Sequence, residues 1–164
     1  MGSDDTFDPY AILGALERNR VLYVLIGGLA RVIRGTDELT SDVDICPQTQ
    51  PGNLRRLDRA LAELNAFPRD SDDALVREYT TDAGGLSVIE EPTGIARGYD
   101  GLRRQTDREP LGQALRIQVA GIPDLLRNLE HLGRELDTSL AEQLRTMVDL
   151  ERSLGRGRSR GIGR

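Results

Sequence analysis

The chain has 164 residues, of which 38% are hydrophobic, and this suits one domain with a core better than two domains. No stretch is long and apolar enough to cross a membrane, and the N-terminus lacks the features of a signal peptide, so we expect a cytoplasmic protein with no membrane partner. The formal charge of −5 argues against a protein that coats nucleic acid through a general positive field. A single cysteine, Cys46, and a single histidine, His131, exclude an internal disulfide and a Cys/His zinc cluster.

The first half of the chain alternates between helical and strand-like periodicity, which predicts an α+β fold (an α/β mixed sheet). A helix over residues 9–19 precedes an apolar strand over 21–26, and Gly27-Gly28 ends that strand in a tight turn. A short helix over 29–33 and a second strand over 42–46 follow. Pro51 then begins a helix that extends to Asn65.

The second half begins with two predicted strands, over 75–80 and 86–89, joined by the turn Asp82-Ala83-Gly84-Gly85. Residues 93–107 are irregular and glycine-rich, and predict a surface loop with one helical turn. A last strand over 115–119 precedes helices over 122–131 and 138–154, for a total of about five strands flanked by helices. Residues 1–154 form the predicted domain, and the basic Gly/Ser-rich tail over 155–164 is predicted to be disordered, as a solvated end or an RNA-binding arm.

Two carboxylates are the most informative feature of the chain. Asp42 and Asp44 alternate with Val43 and Ile45, so on a strand the two acids share one face while the apolar pair points into the core. Two anions held side by side require a cation. Mg²⁺ accepts carboxylate oxygens and shares its remaining positions with substrate phosphates, so we predict Mg²⁺ as cofactor and phosphate chemistry as the function.

The diglycine turn supports the same chemistry. Glycines let backbone approach a polyphosphate closely, and the free N–H groups at a helix N-terminus attract anions. We therefore predict that Gly27 and Gly28 bind a nucleotide, and that the hydroxyls of Thr40 and Ser41 add contacts to a phosphate or to a metal-bound water.

At residues 25–45 the chain resembles the DNA polymerase β-like nucleotidyltransferase superfamily, whose mark is a diglycine or Gly-Ser turn, a short helix and an Asp-x-Asp strand. Within that superfamily it looks like the small nucleotidyltransferases of bacterial toxin–antitoxin systems, the AbiEii and MenT-type toxins and their uncharacterised relatives. Weaker similarity extends over residues 10–150, including a C-terminal helical pair.

The resemblance implies transfer of a nucleotide from an NTP to an acceptor hydroxyl, with Asp42 and Asp44 as catalytic metal ligands. For the toxin branch it also implies the 3′ end of tRNA as acceptor, a block of translation, and a cognate antitoxin protein as partner.

The chain departs from the family pattern at two positions. Relatives carry a third carboxylate at the position of Ser87, and here we predict that Glu91, which could share the same strand face, replaces it as a catalytic residue, with Glu90 or Asp82 as weaker candidates. Relatives also carry a lysine on the first C-terminal helix. This chain has no lysine, and Leu129 stands at that position, which leaves Arg134 or Arg127 to meet the triphosphate.

Two other functions fit the same residues. If the third acid is absent, the chain is a catalytically weakened relative that binds a nucleotide or a partner without turnover. It could also be a small-molecule nucleotidyltransferase that acts on an antibiotic, although such enzymes usually have an added domain for the second substrate.

Overall fold

A mixed sheet of seven strands organises the chain. The computed structural model describes residues 7–133 and 137–162, with side chains described up to residue 155. In chain order the elements are α1 (Pro9–Arg18), β1 (Tyr23–Ile26), α2 (Gly27–Arg34), β2 (Asp42–Pro47), α3 (Pro51–Glu63), β3 (Phe67–Arg69), β4 (Val76–Thr81), β5 (Gly84–Ile89), α4 (Gly98–Arg103), β6 (Asp107–Leu111), β7 (Leu115–Val119), α5 (Ile122–Leu132) and α6 (Thr138–Ile162).

The strand order across the sheet is β3-β4-β5-β2-β1-β7-β6. β1 runs antiparallel to β2 and parallel to β7, and β2 runs parallel to β5. The hairpins β4-β5 and β6-β7 complete the two sides. The centre of the sheet therefore consists of β5, β2 and β1, the strands that surround the predicted site.

Local sequence signals set the starts of the helices. The side chain of Asp8 caps α1 by accepting a hydrogen bond from the backbone N–H of Ala11 at 3.1 Å. Proline stands in the first turn of α1, α3 and α5, where its missing N–H costs no helical hydrogen bond.

The core lies between the sheet and the helices on its two sides. α1 packs against α3 and against β2, β5 and β7, whereas α2 packs against β1, β2 and α5, and α5 pairs with α6. Fully buried side chains such as Leu13, Leu25, Ile45 and Leu86 fill the space between these elements. The pairing of α5 and α6 confirms the predicted C-terminal helical pair.

The structure confirms the predicted α+β class and the five predicted strands, and it adds two strands that the sequence did not indicate. β3 and β6 are the edges of the sheet, each contains a proline, and all three residues of β3 are exposed. Prolines and charges protect an edge strand from pairing with other chains, but they also remove the apolar alternation by which a strand is recognised. The helical turn predicted within residues 93–107 is α4.

The helix α6 extends to Ile162 and so includes residues 155–162 of the tail, whose disorder stays a prediction. Extending an existing helix adds one hydrogen bond per residue, whereas starting a new one is costly, so a low-propensity Gly/Ser/Arg sequence can continue a helix that it would not nucleate.

Among the described residues, none of the helices has the length and apolar character needed to cross a membrane.

Replacement of Asn53 by alanine should destabilise the fold, because this fully buried amide bridges two loops. Its Nδ2 donates to the carbonyls of Leu22 and Gln48 at 2.9 and 2.8 Å, and its Oδ1 accepts from the Leu22 N–H at 2.7 Å. With these groups left unpaired, we expect Asn53→Ala to lower the free energy of unfolding by about 2–4 kcal/mol in urea titrations. Asn128→Ala is the matched control. It removes a single exposed hydrogen bond, from the Asn128 side chain to the Thr93 carbonyl, and should lower the free energy of unfolding by less than about 1 kcal/mol.

Candidate active site

The two predicted carboxylates begin β2 and share one face of the sheet. Asp42 lies opposite Gly85 of β5, and Asp44 lies between Ile26 of β1 and Ser87 of β5. Val43 and Ile45 point the other way and are fully buried. The alternation expected from the sequence is therefore present, and it holds both acids beside the end of β1.

Each carboxylate occupies space that a neighbouring glycine leaves open. A Cβ on Gly27 would lie 2.1 Å from Oδ2 of Asp44, and a Cβ on Gly85 would lie 1.8 Å from Oδ1 of Asp42. Gly27 also has a φ of +73°, which side-chain-bearing residues rarely adopt. Both glycines are thus required for the carboxylates to take these positions.

The diglycine turn places the N-terminus of α2 beside the carboxylates. α2 begins at Gly27, and its N-cap residue, Ile26, makes no side-chain hydrogen bond to the first turn. The free N–H groups of such a turn point toward an anion and carry the positive end of the helix dipole. Gly28 packs against Thr40, whose Oγ1 would lie 3.1 Å from an added Cβ.

A buried ion pair holds the loop between α2 and β2 in position. Arg31 of α2 donates two hydrogen bonds to the carboxylate of Glu38, at 2.9 and 2.8 Å, and Thr36 donates a third at 2.8 Å. Thr40 then donates to the backbone carbonyl of Asp42 at 3.2 Å. These contacts fix the entry of the chain into β2 and hence the position of its first carboxylate.

The pKa of Asp44 is raised to about 6. Burial is the largest cause, followed by repulsion from the Asp42 carboxylate, and Glu78 adds a smaller repulsion. A hydrogen bond from Ser87 and the charge of Arg31 oppose this rise. A carboxylate in these surroundings would be stabilised by a bound cation.

A row of polar side chains crosses the sheet at the level of Asp44. Asp44 of β2 pairs with Ser87 of β5, Ser87 pairs with Glu78 of β4, and Glu78 pairs with Arg69 of β3. Because directly paired residues point to the same face, these four side chains share the face that carries the site. The Arg69 guanidinium extends toward Asp42, since its Nη2 lies 3.6 Å from the point that a Gly85 Cβ would occupy. We call Asp44, Ser87, Glu78 and Arg69 the polar row.

A cavity of about 210 Å³ lies over this face. Gly27, Gly28 and three members of the polar row, Asp44, Ser87 and Glu78, contribute to its floor, and Asn128 and Leu132 of α5 to its wall. Its acidic side chains are Asp44, Asp73, Glu78 and Glu91. Arg31 is the one cation among the described residues that line it, and Glu38 already neutralises Arg31. The cavity is therefore suited to a cation.

A larger cavity of about 870 Å³ adjoins the first, and the two share Leu75 and Glu91 in their walls. Charged side chains of both signs line it, among them Arg77, Glu90, Arg97 and Asp100.

The carboxylates proposed from sequence to replace the third acid lie at different places. Glu91 lines both cavities and is exposed, beyond the end of β5. Glu90 forms a 3.7 Å ion pair with Arg77. Asp82 lies in the β4-β5 turn, where it accepts a hydrogen bond from Asn65 and does not line the site cavity.

The remaining sequence candidates have structural partners or lie elsewhere. Leu129 belongs to the core, Arg127 pairs with Asp124 at 2.9 Å, and His131 contacts the Arg127 carbonyl at 2.8 Å through Nδ1. Arg134 lies outside the described residues. Ser41 is exposed beside Asp42.

Cys46, near the end of β2, is fully buried. Burial and the nearby Glu90 raise its pKa to about 12. The thiol is therefore protonated and unsuited to nucleophilic chemistry.

Sequence reasoning missed Glu78 and Arg69. The usable signal was the β4-β5 hairpin, because a loop of Asp82 and Ala83 pairs Thr81 with Gly84 and so brings Glu78 opposite Ser87. The prediction placed the turn over residues 82–85. The pairing of Glu78 with Ser87 was therefore not predicted.

The donor set fits Mg²⁺ held by two protein carboxylates. Within the described part of the chain, no three His, Cys, Asp or Glu side chains cluster closely enough to hold one ion. Mg²⁺ sites in phosphate-transferring proteins use one or two carboxylates and complete the shell with water and substrate phosphates. Asp42 and Asp44, each placed over a glycine, meet that requirement.

No protein-family profile and no curated protein sequence matches the chain. Solved structures do match it. The antibiotic-resistance factor ANT(2'')-Ia superposes with a TM-score of 0.56 at 14% identity, over 93% of this chain and 91% of that one. A putative nucleotidyltransferase from Thermotoga maritima, TM1012, has a TM-score of 0.55 at 19% identity, over 84% and 88%.

A third structure, the lincosamide antibiotic adenylyltransferase LnuA with bound lincomycin, has a TM-score of 0.55 at 20% identity, over 83% of this chain and 93% of that one. These neighbours bear out the nucleotidyltransferase fold that the motif at residues 25–45 implied. At this level of identity the shared feature is the fold, and this chain has the fold of these three structures.

Proposed function

We propose that the protein is an Mg²⁺-dependent nucleotidyltransferase. The observation that carries the proposal is the placement of Asp42 and Asp44 over Gly85 and Gly27, beside the uncapped N-terminus of α2. This places carboxylates for a cation next to backbone N–H groups for an anion, in a fold that nucleotidyltransferases share. An NTP bound to Mg²⁺ presents both charges at once.

The residues of the chain then have distinct tasks. Gly27 and Gly28 direct backbone N–H groups to the triphosphate, and the α2 dipole favours its charge. Arg69, whose guanidinium extends toward Asp42, offers the triphosphate a cation in place of the absent lysine. The ion pair of Arg31 with Glu38 holds the loop that delivers Asp42.

The metal would be held by the carboxylates of Asp42 and Asp44. When bound, Mg²⁺ would neutralise the phosphate charge that develops as pyrophosphate leaves. The same binding would relieve the repulsion between the two acids, which is one cause of the raised pKa of Asp44.

For the acceptor, our first candidate is the 3′ end of tRNA, with the protein acting as the toxin of a toxin–antitoxin system in the cytoplasm. The resemblance at residues 25–45 supports this candidate. It implies a block of translation and a cognate antitoxin as partner.

A small-molecule acceptor is the second candidate. One structural neighbour is an antibiotic-resistance factor and another is a lincosamide antibiotic adenylyltransferase. The 870 Å³ cavity offers room for a compact polar ligand. Both candidates use the same metal and nucleotide residues, so they differ only in what occupies the second cavity.

Label transfer tests the proposal directly. Purified protein, Mg²⁺ and each α-labelled NTP are incubated with total tRNA in one series and with a panel of antibiotics that includes lincomycin in another. Labelled RNA supports the first acceptor, and a labelled antibiotic supports the second. Nucleotide binding without transfer to either acceptor would favour a catalytically weakened binding protein.

The Asp42→Asn and Asp44→Asn variants should each lose at least about 100-fold in transfer rate, because one charge of a two-carboxylate site is removed. Mn²⁺ binding, followed by electron paramagnetic resonance, should weaken in parallel. Asp58→Asn, a change at an exposed carboxylate of α3, is the matched control and should leave both measurements unchanged. Full activity in either site variant would contradict the metal assignment.

Asp44→Asn should also stabilise the metal-free protein at neutral pH. Because the pKa of Asp44 is raised to about 6 in the fold, the folded protein binds its proton more tightly than the unfolded chain does. The wild type therefore loses stability as the pH rises from about 4 to 6, by ~1–3 kcal/mol, and the Asp44→Asn variant does not. Chemical denaturation in EDTA should show the gain at pH 7.5 and none at pH 4, whereas an equal gain at both would contradict the assignment.

Gly27→Ala should abolish Mn²⁺ binding as well as destabilise the fold. The added methyl would collide with the Asp44 carboxylate and require a strained φ, at a combined cost of about 2–5 kcal/mol. Gly133→Ala is the matched control, since Gly133 has a φ of +65° and, among the described residues beyond its immediate neighbours, no atom lies within 4 Å of the added carbon. It should cost about 1–2 kcal/mol and keep Mn²⁺ binding.

A further inference from the structure

We propose that Glu78 is the general base of the site, the group that accepts the proton of the acceptor hydroxyl. This inference rests on the proposed nucleotidyl transfer and adds a catalytic residue on β4 to the metal pair on β2. The position that the resemblance assigns to a third acid is occupied here by Ser87, one strand away from Glu78.

The register of the sheet brings Glu78 to this position. Glu78 pairs directly with Ser87, which pairs directly with Asp44, and all three face the cavity of about 210 Å³. Direct cross-strand neighbours lie about 5 Å apart. The long side chain of glutamate brings its carboxylate closer to the metal pair. A carboxylate on β4 can therefore reach the space above Ser87.

Glu91, the sequence-based candidate, is not held by strand pairing. It follows Ser87 by four residues, and the chain bends at residues 90 and 91. Glu91 is also exposed and lies past the end of β5, beyond the last register pair. Glu78 is half-buried within β4, in a position fixed by strand pairing on both sides.

The geometry favours proton transfer over metal binding for Glu78. Within the described part of the chain, no cluster of three acids is close enough to share an ion, so Glu78 stands apart from the pair formed by Asp42 and Asp44. Arg69, its direct neighbour on β3, is an opposite charge on the same face. The Ser87 hydroxyl lowers the pKa of Asp44, so it acts on the metal pair.

The proposed step is a displacement at the α-phosphorus of the NTP. The acceptor hydroxyl gives its proton to the Glu78 carboxylate as its oxygen forms a bond to the α-phosphorus of the NTP. The bond from that phosphorus to the bridging oxygen breaks, and pyrophosphate leaves with the bonding electron pair. No oxidant or further reactant is required.

Glu78→Gln tests the inference, because glutamine keeps the size and hydrogen-bonding capacity of the side chain but cannot accept the proton. With the acceptor identified by label transfer, we expect kcat to fall about 10²–10⁴-fold. The KM for the NTP and the Mn²⁺ affinity should each stay within about threefold of wild type. Asp58→Asn, the change at an exposed carboxylate of α3, is the control and should change kcat less than about threefold. Glu91→Gln is measured beside it, because Glu91 is the competing carboxylate of the same cavity.

Three results would overturn the inference: wild-type kcat in Glu78→Gln, loss of its Mn²⁺ binding, which would make Glu78 a metal ligand, or a loss of kcat confined to Glu91→Gln. The thermal unfolding midpoint of each variant is measured alongside, so that a fall in kcat is assigned only to folded protein. Failure of the wild type to transfer label to any acceptor would instead contradict the proposed function itself, and the two failures are therefore distinguishable.

Discussion

The contact between Gly27 and Asp44 is the constraint on which the site depends. Antiparallel pairing sets Ile26 opposite Asp44, so the residue after β1 must pass directly beneath the carboxylate, where a Cβ would lie 2.1 Å from Oδ2. The same glycine, with its positive φ, turns the chain into α2. One backbone position thus joins the acid, the turn and the helix N-terminus into a single unit.

The electrostatics of this unit oppose stability in the absence of a ligand. Burial and the neighbouring Asp42 raise the pKa of Asp44, and Glu78 adds to the negative charge. The buried pair of Arg31 and Glu38 stabilises the adjoining loop but leaves the charge of the cavity negative. Sites prepared for a charged ligand commonly have this property, because the groups that bind it repel one another until it arrives.

The polar row consists of side chains, which a shared fold does not determine. At 14–20% identity the shared feature is the fold, which fixes the order of the central strands. Side chains on those strands can change while the face they present stays the same. A carboxylate can move from β5 to β4 and still face the same cavity, since paired residues share a face. The proposed role of Glu78 follows from that freedom.

The sequence by itself determined the features that depend on neighbours along the chain: the shared face of Asp42 and Asp44, the turn at Gly27 and the proline-started helices. The edge strands β3 and β6 were not predicted, because prolines and charges hide the alternation of apolar and polar residues in them. Only the tertiary structure placed Glu78 opposite Ser87 and Arg69 opposite Glu78, whereas Glu91 had been chosen by periodicity along one strand. The physical reason is that pairing register, fixed by the turns and by burial, decides which residues distant in sequence meet.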